Sequence, residues 1–274
     1  MQRIVITGST RGIGRGLAEE LLARDCSVVV CGRSEETVVP AVAGLRGQFE
    51  QSRVYGLACD VTNLAQVERL WESAVARLDG VDIWINNAGL SHPMQMMWEL
   101  APEQVEQVWR ANVLGTYYGA RVAMRGMLAQ GHGWIYNMEG FGSGGRLRKG
   151  MSAYGTSKAA VSYLTRALAA EAKETPVRVA ALSPGMVMTD LVLQELEKEP
   201  ERLQQSRRVL NIVADRLEDV TPWLAEQVLS NRKHGARIRW LTGPRLVWRF
   251  VSAPFSRRDV FRGTELAGGQ RNED

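Results

Sequence analysis

Arg3-Ile4-Val5-Ile6-Thr7-Gly8-Ser9-Thr10-Arg11-Gly12-Ile13-Gly14 decides the fold of this chain. A β-branched run turns through glycines into a stretch where Leu17, Leu21 and Leu22 recur at helical spacing. Strand, glycine turn and helix in that order bring bare backbone N–H groups and the positive helix end against a phosphate pair. The spacing is G-x-x-x-G-x-G, not G-x-G-x-x-G, but the mechanics are shared: glycines permit close approach and the helix dipole favours the anion. Working outward, apolar runs at 27–31, 53–58, 81–86, 133–138 and 177–182 read as buried strands, and the intervals between them carry helical periodicity. That alternation implies an α/β, Rossmann-type doubly wound parallel sheet covered on both faces, with ligands at the carboxyl ends of the strands.

A chain of 274 residues with 45% hydrophobic content can bury one large core. Residues 1–231 therefore read as a single domain, and 232–274 as a basic, aromatic-rich extension with a polar tail. No apolar run reaches the length of a membrane span, and a first strand at residue 3 leaves no room for a leader, so the expected location is cytoplasmic in a bacterium, or organellar after processing. Cys26, Cys31 and Cys59, and likewise His92, His132 and His234, lack metal-ligand spacing, so no metal is expected.

Tyr154-Gly155-Thr156-Ser157-Lys158 opens a long apolar-periodic stretch. Residues at i and i+4 share one helix face. An ammonium there can sit beside the phenol, favour its ionised form and make it a ready proton donor near neutral pH, the acid half of a carbonyl reduction.

Together the motifs Thr7-Gly8-x-x-x-Gly12-Ile13-Gly14, Asp60-Val61, Asn86-Asn87-Ala88-Gly89, Asn112, Tyr154-x-x-x-Lys158 and Ser183-Pro184-Gly185 with Thr189 occur in register over residues 2 to 192. In this the chain resembles the short-chain dehydrogenase/reductase family. The resemblance implies that Gly8, Ser9, Thr10, Arg11, Gly12, Ile13 and Gly14 cradle the pyrophosphate. It implies that Asp60 and Val61 flank the adenine, that Asn86, Asn87, Ala88 and Gly89 line the ribose side, and that Pro184, Gly185, Val187 and Thr189 hold the nicotinamide end. Tyr154 would protonate the substrate oxygen, Lys158 would lower the phenol pKa and bind the ribose, and Asn112 would anchor a water relay. The second strand ends in Cys31-Gly32-Arg33-Ser34, with no carboxylate for ribose hydroxyls; Arg33, Ser34 and Arg11 suit a 2′-phosphate instead, so NADPH is the expected cofactor.

Family members usually carry a serine where Gly140 stands; Ser143 could supply that hydroxyl if the Gly140–Gly145 turn folds inward, or be a structural serine. The run Asn137-Met138-Glu139-Gly140-Phe141-Gly142-Ser143-Gly144-Gly145 also resembles the chlorophyll b reductase branch, with Glu139 in place of an aspartate. Similarity continues through 182–191, 210–214 and 238–243. This implies reduction of the C7-formyl group of chlorophyll b or its phytol-free form, at photosynthetic membranes in a bacterium or at the stroma or thylakoid surface in a plant. Met94, Met97, Phe141, Met186 and Met188, with Leu191, are the candidate contacts for such a flat apolar tetrapyrrole, since thioethers adapt to irregular ligands; core packing is the competing role. Other readings are reduction of a lipid or polyketide carbonyl, and a non-catalytic NADPH-binding partner protein.

Charge is uneven. From Arg232 to Gly263 there are nine Lys or Arg against the single acid Asp259, interleaved with Trp240, Trp248, Phe250, Phe255 and Phe261, although the whole chain is only +4. Such a segment can lie on an anionic membrane surface or dock on a protein; no motif supports nucleic acid. Val161, Leu164 and Leu168 form an apolar stripe after Tyr154 that relatives use for dimer contacts, so a homo-oligomer is expected, with packing against the sheet as the alternative.

Overall fold

In the computed structural model, residues 1–189, 192, 193, 196, 200–256 and 258–264 are described; Asp190, Leu191 and the tail 265–274 lie outside them. The elements run β1 (Arg3–Ile6), α1 (Gly12–Leu22), β2 (Ser27–Gly32), α2 (Glu35–Arg46), β3 (Val54–Ala58), α3 (Leu64–Leu78) and β4 (Ile83–Asn86). Then come α4 (Pro102–Trp109), a π-helical turn (Arg110–Leu114), α5 (Gly115–Gln130), β5 (Gly133–Met138), α6 (Ser152–Glu171), β6 (Val177–Ser183) and β7 (Met186–Met188). The chain continues through α7 (Pro200–Val213), β8 (Ala214–Arg216), α8 (Leu217–Ser230), β9 (Arg237–Arg239) and α9 (Gly243–Ser252).

Seven strands form one sheet in the order β3-β2-β1-β4-β5-β6-β9, every neighbour parallel. The expected strands are all present. Alternation along them sorts the core into two layers: Ile4, Ile6, Val28, Val30, Ile83 and Ile85 face α1, α2 and α8, while Val5, Val29, Cys31 and Trp84 face α3 and α5. A strand covered on both faces has no polar side, which is why these segments read as continuous apolar runs. Chain order reverses between β1 and β4, so the loops after these strands part and leave a crevice at the carboxyl edge of the sheet.

The basic C-terminal segment contributes β9, the last strand of this sheet, before it leaves the body of the fold. Beyond β9, a third apolar cluster of Met188, Leu203, Leu210, Ala214, Val260 and Phe261 joins β7, α7 and the C-terminal residues. Asp215, with a side chain 2% exposed, holds α9 through Arg249 and receives Arg258 as well. The two guanidiniums hold its carboxyl below the ordinary value against the opposing effect of burial. The clasp is therefore intact above the usual aspartate range and weakens as pH falls through the depressed value.

On α6, Val161 is fully buried and Leu168 packs into the α3/α5 layer. The stripe expected to contact a second copy is thus committed largely to the chain's own core, because the helix lies flat against the sheet. Among the described residues no helix is long and apolar enough to cross a membrane.

Candidate active site

At the crevice, Gly8 and Gly12 adopt positive φ (63° and 55°), a conformation that needs glycine. A Cβ on Gly8 would stand 2.7 Å from Ala88 Cα, and one on Gly12 3.5 Å from Thr189 Cγ2, so the loops after β1, β4 and β6 meet here. Thr7 Oγ1 accepts the N–H groups of Asn87 and Ala88, each at 3.1 Å, and the Asn87 amide donates to the carbonyls of Thr7 and Gly8. Helix α1 begins without a side-chain cap and without an acid in its first turn. Its first N–H groups are left for an anion.

Exposed Arg33 and Arg11, with half-buried Ser34, lie around the end of β2, where a Cβ on Gly32 would press on Thr10. Asp60 folds back to accept the Thr62 N–H, and Val61 is buried against Gly115. Two expected contacts turn their side chains away from the crevice. Asn86 is buried and its amide spans the sheet, from Trp84 to Asn137 and on to Thr165, so it braces strands. Val187 points its side chain into the α1/α8 layer.

Tyr154, Lys158, Asn112, Gly89, Gly140 and Ser143 come together beside this crevice. Asn112 sits in the π-helical turn, an irregularity common at functional sites. Fully buried, it clamps Leu90 through both N–H (2.7 Å) and C=O (2.9 Å) and donates to Ser157 Oγ at 2.9 Å, which in turn donates to the Tyr154 carbonyl. His92 completes the clamp. Its Nδ1 faces the Pro93 carbonyl at 2.7 Å, leaving Nε2 to accept the Tyr154 N–H at 3.2 Å. The sequence pattern assigns His92 no role, since it lacks metal-ligand spacing; its place in the loop after Asn87-Ala88-Gly89 is the available signal.

Lys158 is 5% exposed and donates to the Met138 carbonyl at 3.2 Å, its nitrogen 5.9 Å from the centre of the Tyr154 ring. Burial pushes its pKa down to about 8, opposed by the negative charge of Glu139. Burial likewise pushes the Tyr154 phenol up to about 12. The expected depression of the phenol is absent here, because the lysine is itself desolvated and turned to a carbonyl. Tyr154 is therefore a neutral phenol at ordinary pH, carrying its proton. Glu139, unassigned from the sequence, is buried and receives Arg237 from β9 at 2.6 Å. Its sequence signals are an acid directly after an apolar strand and its place in the Asn137–Gly145 run.

Gly140 and Ser143 answer the question of the missing strand-end serine. A Cβ on Gly140 would stand 2.4 Å from the Tyr154 hydroxyl and 3.2 Å from Lys158 Cγ, so the phenol occupies the space a side chain would need. Ser143 Oγ accepts the Gly140 N–H at 3.2 Å and donates to the Lys158 carbonyl at 2.9 Å. With its single proton committed to the backbone, Ser143 acts as a brace for the turn, the structural one of the two roles the sequence left open.

Of the candidate substrate contacts, Met97 (68% exposed) stands out into solvent, and Met94 and Phe141 are half-buried in the loops around the site. Met188 is buried in the third cluster and Met186 packs against it, so these two serve packing.

The profile of the short chain dehydrogenase family matches residues 2–200. Chlorophyll(ide) b reductase NOL of Arabidopsis thaliana, a chloroplastic protein, is 38% identical over 249 residues, covering 88% of this chain and 70% of that protein. Among solved structures, a short-chain type dehydrogenase/reductase from Mycobacterium ulcerans superposes with a TM-score of 0.79 at 25% identity, covering 96% of this chain and 98% of that one. The closed form of serine dehydrogenase complexed with NADP+ superposes with a TM-score of 0.75, also at 25% identity, covering 87% and 94%.

Proposed function

Because the chain belongs to the short-chain dehydrogenase/reductase family of oxidoreductases, we propose that it uses NADPH to reduce the C7-formyl group of chlorophyll b or chlorophyllide b to the hydroxymethyl. The observation that carries the chemistry is the juxtaposition of a neutral, half-buried phenol, a buried lysine and side-chain-free backbone at Gly140 beside an uncapped helix N-terminus. Similarity to chlorophyll(ide) b reductase NOL carries the choice of substrate. The run from Gly8 to Gly14 and the end of α1 fit a pyrophosphate, with Thr189 facing Gly12 across the crevice.

The chemistry a bound NADPH supplies is a hydride for the carbonyl carbon. Tyr154 gives its proton to the carbonyl oxygen as negative charge develops there. Lys158, cationic below about pH 8, stabilises the phenolate left behind. Asn112, Ser157 and His92 fix the first turns of α6, and with them the direction of the phenol. Bare Gly140 lets the hydroxyl sit against the turn where a side chain would collide, and Met94, Met97 and Phe141 lie in the loops around the site.

The test is incubation of the purified protein with NADPH and chlorophyllide b while following the formyl-dependent absorption. Disappearance of the formyl band supports this reading. No change with chlorophyllide b, together with turnover of simple ketones or aldehydes, would replace the substrate while keeping the chemistry.

Two expectations arise from the same geometry. If Arg33 holds a 2′-phosphate, Arg33→Ala should raise KM for NADPH roughly tenfold and leave KM for NADH unchanged, measured side by side. If the working Lys158 is the ammonium, kcat/KM should fall as pH rises past about 8, the value at which burial places it. Glu139 pushes that value upward, so Glu139→Gln should move the fall toward lower pH, whereas Glu139→Asp, which keeps the charge, should largely restore it. A pH profile of kcat/KM reads free-enzyme groups and separates this from simple loss of packing.

A further inference from the structure

Helix α9 has its two sides reversed relative to an ordinary surface helix. Its arginines turn inward: Arg249 grips the buried carboxylate of Asp215 at 2.7 and 2.9 Å, and Arg245 stacks over Trp240 at 3.9 Å. Its apolar arc turns outward, with Val247, Trp248 and Val251 each 64–69% exposed and Phe255 just beyond at 90%. No residue of the helix is buried. Normal amphipathic packing places the apolar stripe on the core, so this face is built to meet something other than water.

Its place in the fold is specific. Strand β9 runs parallel to β6, so Trp240 and α9 leave the sheet at the carboxyl edge, where Gly185 packs against Leu241 and where the loops of the candidate active site emerge. The chain after β9 is basic, five arginines to one acid over 240–263. Arg208, Arg249 and Arg258 line a cleft of about 150 Å³ beside it with Ser252 and Ser256, and Asp215 supplies one carboxylate to two of these guanidiniums. The cleft keeps positive charge and hydroxyls suited to a phosphate group.

We infer that α9 docks the protein on an anionic phospholipid surface, with Val247, Trp248, Val251 and Phe255 entering the interfacial layer and the cleft lined by exposed Arg208 taking a lipid phosphate. A helix with rings and aliphatic side chains on one side and arginines on the other lies in the plane of such an interface, and each cation near an anionic surface adds to the attraction. An anionic bilayer complements the charge of this basic edge and receives the apolar arc at once. Docking on this edge would hold the site mouth at the membrane, where an apolar pigment resides; that benefit rests on the proposed substrate, but the docking does not.

The experiment is cosedimentation of the intact protein with phosphatidylcholine vesicles, with and without phosphatidylglycerol, alongside gel filtration and the reductase assay on chlorophyllide b in solution. Expected are binding to the anionic vesicles, release by high salt, and a loss of roughly tenfold or more in partitioning for Trp248→Asp combined with Val251→Asp, with soluble-substrate activity retained. Four results would overturn the inference: no vesicle binding by the unaltered chain, equal binding to neutral vesicles, binding undiminished in the double variant, or a dimer in gel filtration that the double variant dissolves. Absence of reductase activity beside intact vesicle binding would strike the proposed function and leave the docking standing.

Discussion

Replacing Tyr154 by phenylalanine should lower kcat for carbonyl reduction by about 10²–10⁴-fold, leaving NADPH affinity and thermal stability nearly unchanged. The ring stays in place because its helix is held through the backbone of Tyr154, by His92 at the N–H and Ser157 at the carbonyl, neither of which touches the hydroxyl. Only the proton is lost. Burial keeps that proton on the phenol in the resting site, with a pKa of about 12, so the acid is stored in a dry place and released when charge develops on the substrate oxygen. Single-turnover kinetics with NADPH measures this directly. Activity of the phenylalanine variant within a few-fold of the parent would remove Tyr154 as the proton donor, and with it the lysine's proposed task.

Restoring the family serine should also inactivate. In most relatives that serine is expected to bind the substrate oxygen, so Gly140→Ser looks like a repair. Here a Cβ on residue 140 would lie 2.4 Å from the Tyr154 hydroxyl, closer than real Cβ contacts come. Either the phenol swings aside or the Gly140–Gly145 turn moves, and the turn is braced by Ser143 on the Lys158 carbonyl. Displacing a reacting group by about 1 Å costs on the order of 10²-fold in rate. The expected outcome is a folded Gly140→Ser protein that still binds NADPH and reduces its substrate about 10²-fold more slowly. Gly140→Ala should behave alike, which separates crowding from hydroxyl chemistry. A serine variant faster than the parent would mean that the phenol has room the structure denies it.

Much of the architecture was legible because strand and helix periods are local. Ile4 and Ile6 alternate with Val5 across β1 for the same covalent reason that Tyr154 and Lys158 share a helix face, and both patterns are written in consecutive residues. The glycine turn at 8–14 was legible for a related reason, since positive φ restricts which residues can stand there. The electrostatics of the site were not. Spacing alone suggested a lysine that depresses a neighbouring phenol, yet both groups are desolvated, and burial outweighs a charge whose nitrogen is 5.9 Å from the ring centre and turned to a carbonyl. Ser143 was likewise ambiguous, because a hydroxyl's role depends on which acceptor takes its proton.

Order and chemistry along the chain, read alone, determined the doubly wound sheet, the glycine turn at 8–14 and the pairing of Tyr154 with Lys158, because each follows from the geometry of neighbouring residues. Packing between distant segments decided the rest: that Gly140 is bare because a phenol fills its space, that Glu139 and His92 serve the site, that Met188 belongs to a core, and that α9 shows its apolar side to the outside. Burial and contact across tens of residues set those outcomes, and they exist only once the elements have closed on one another.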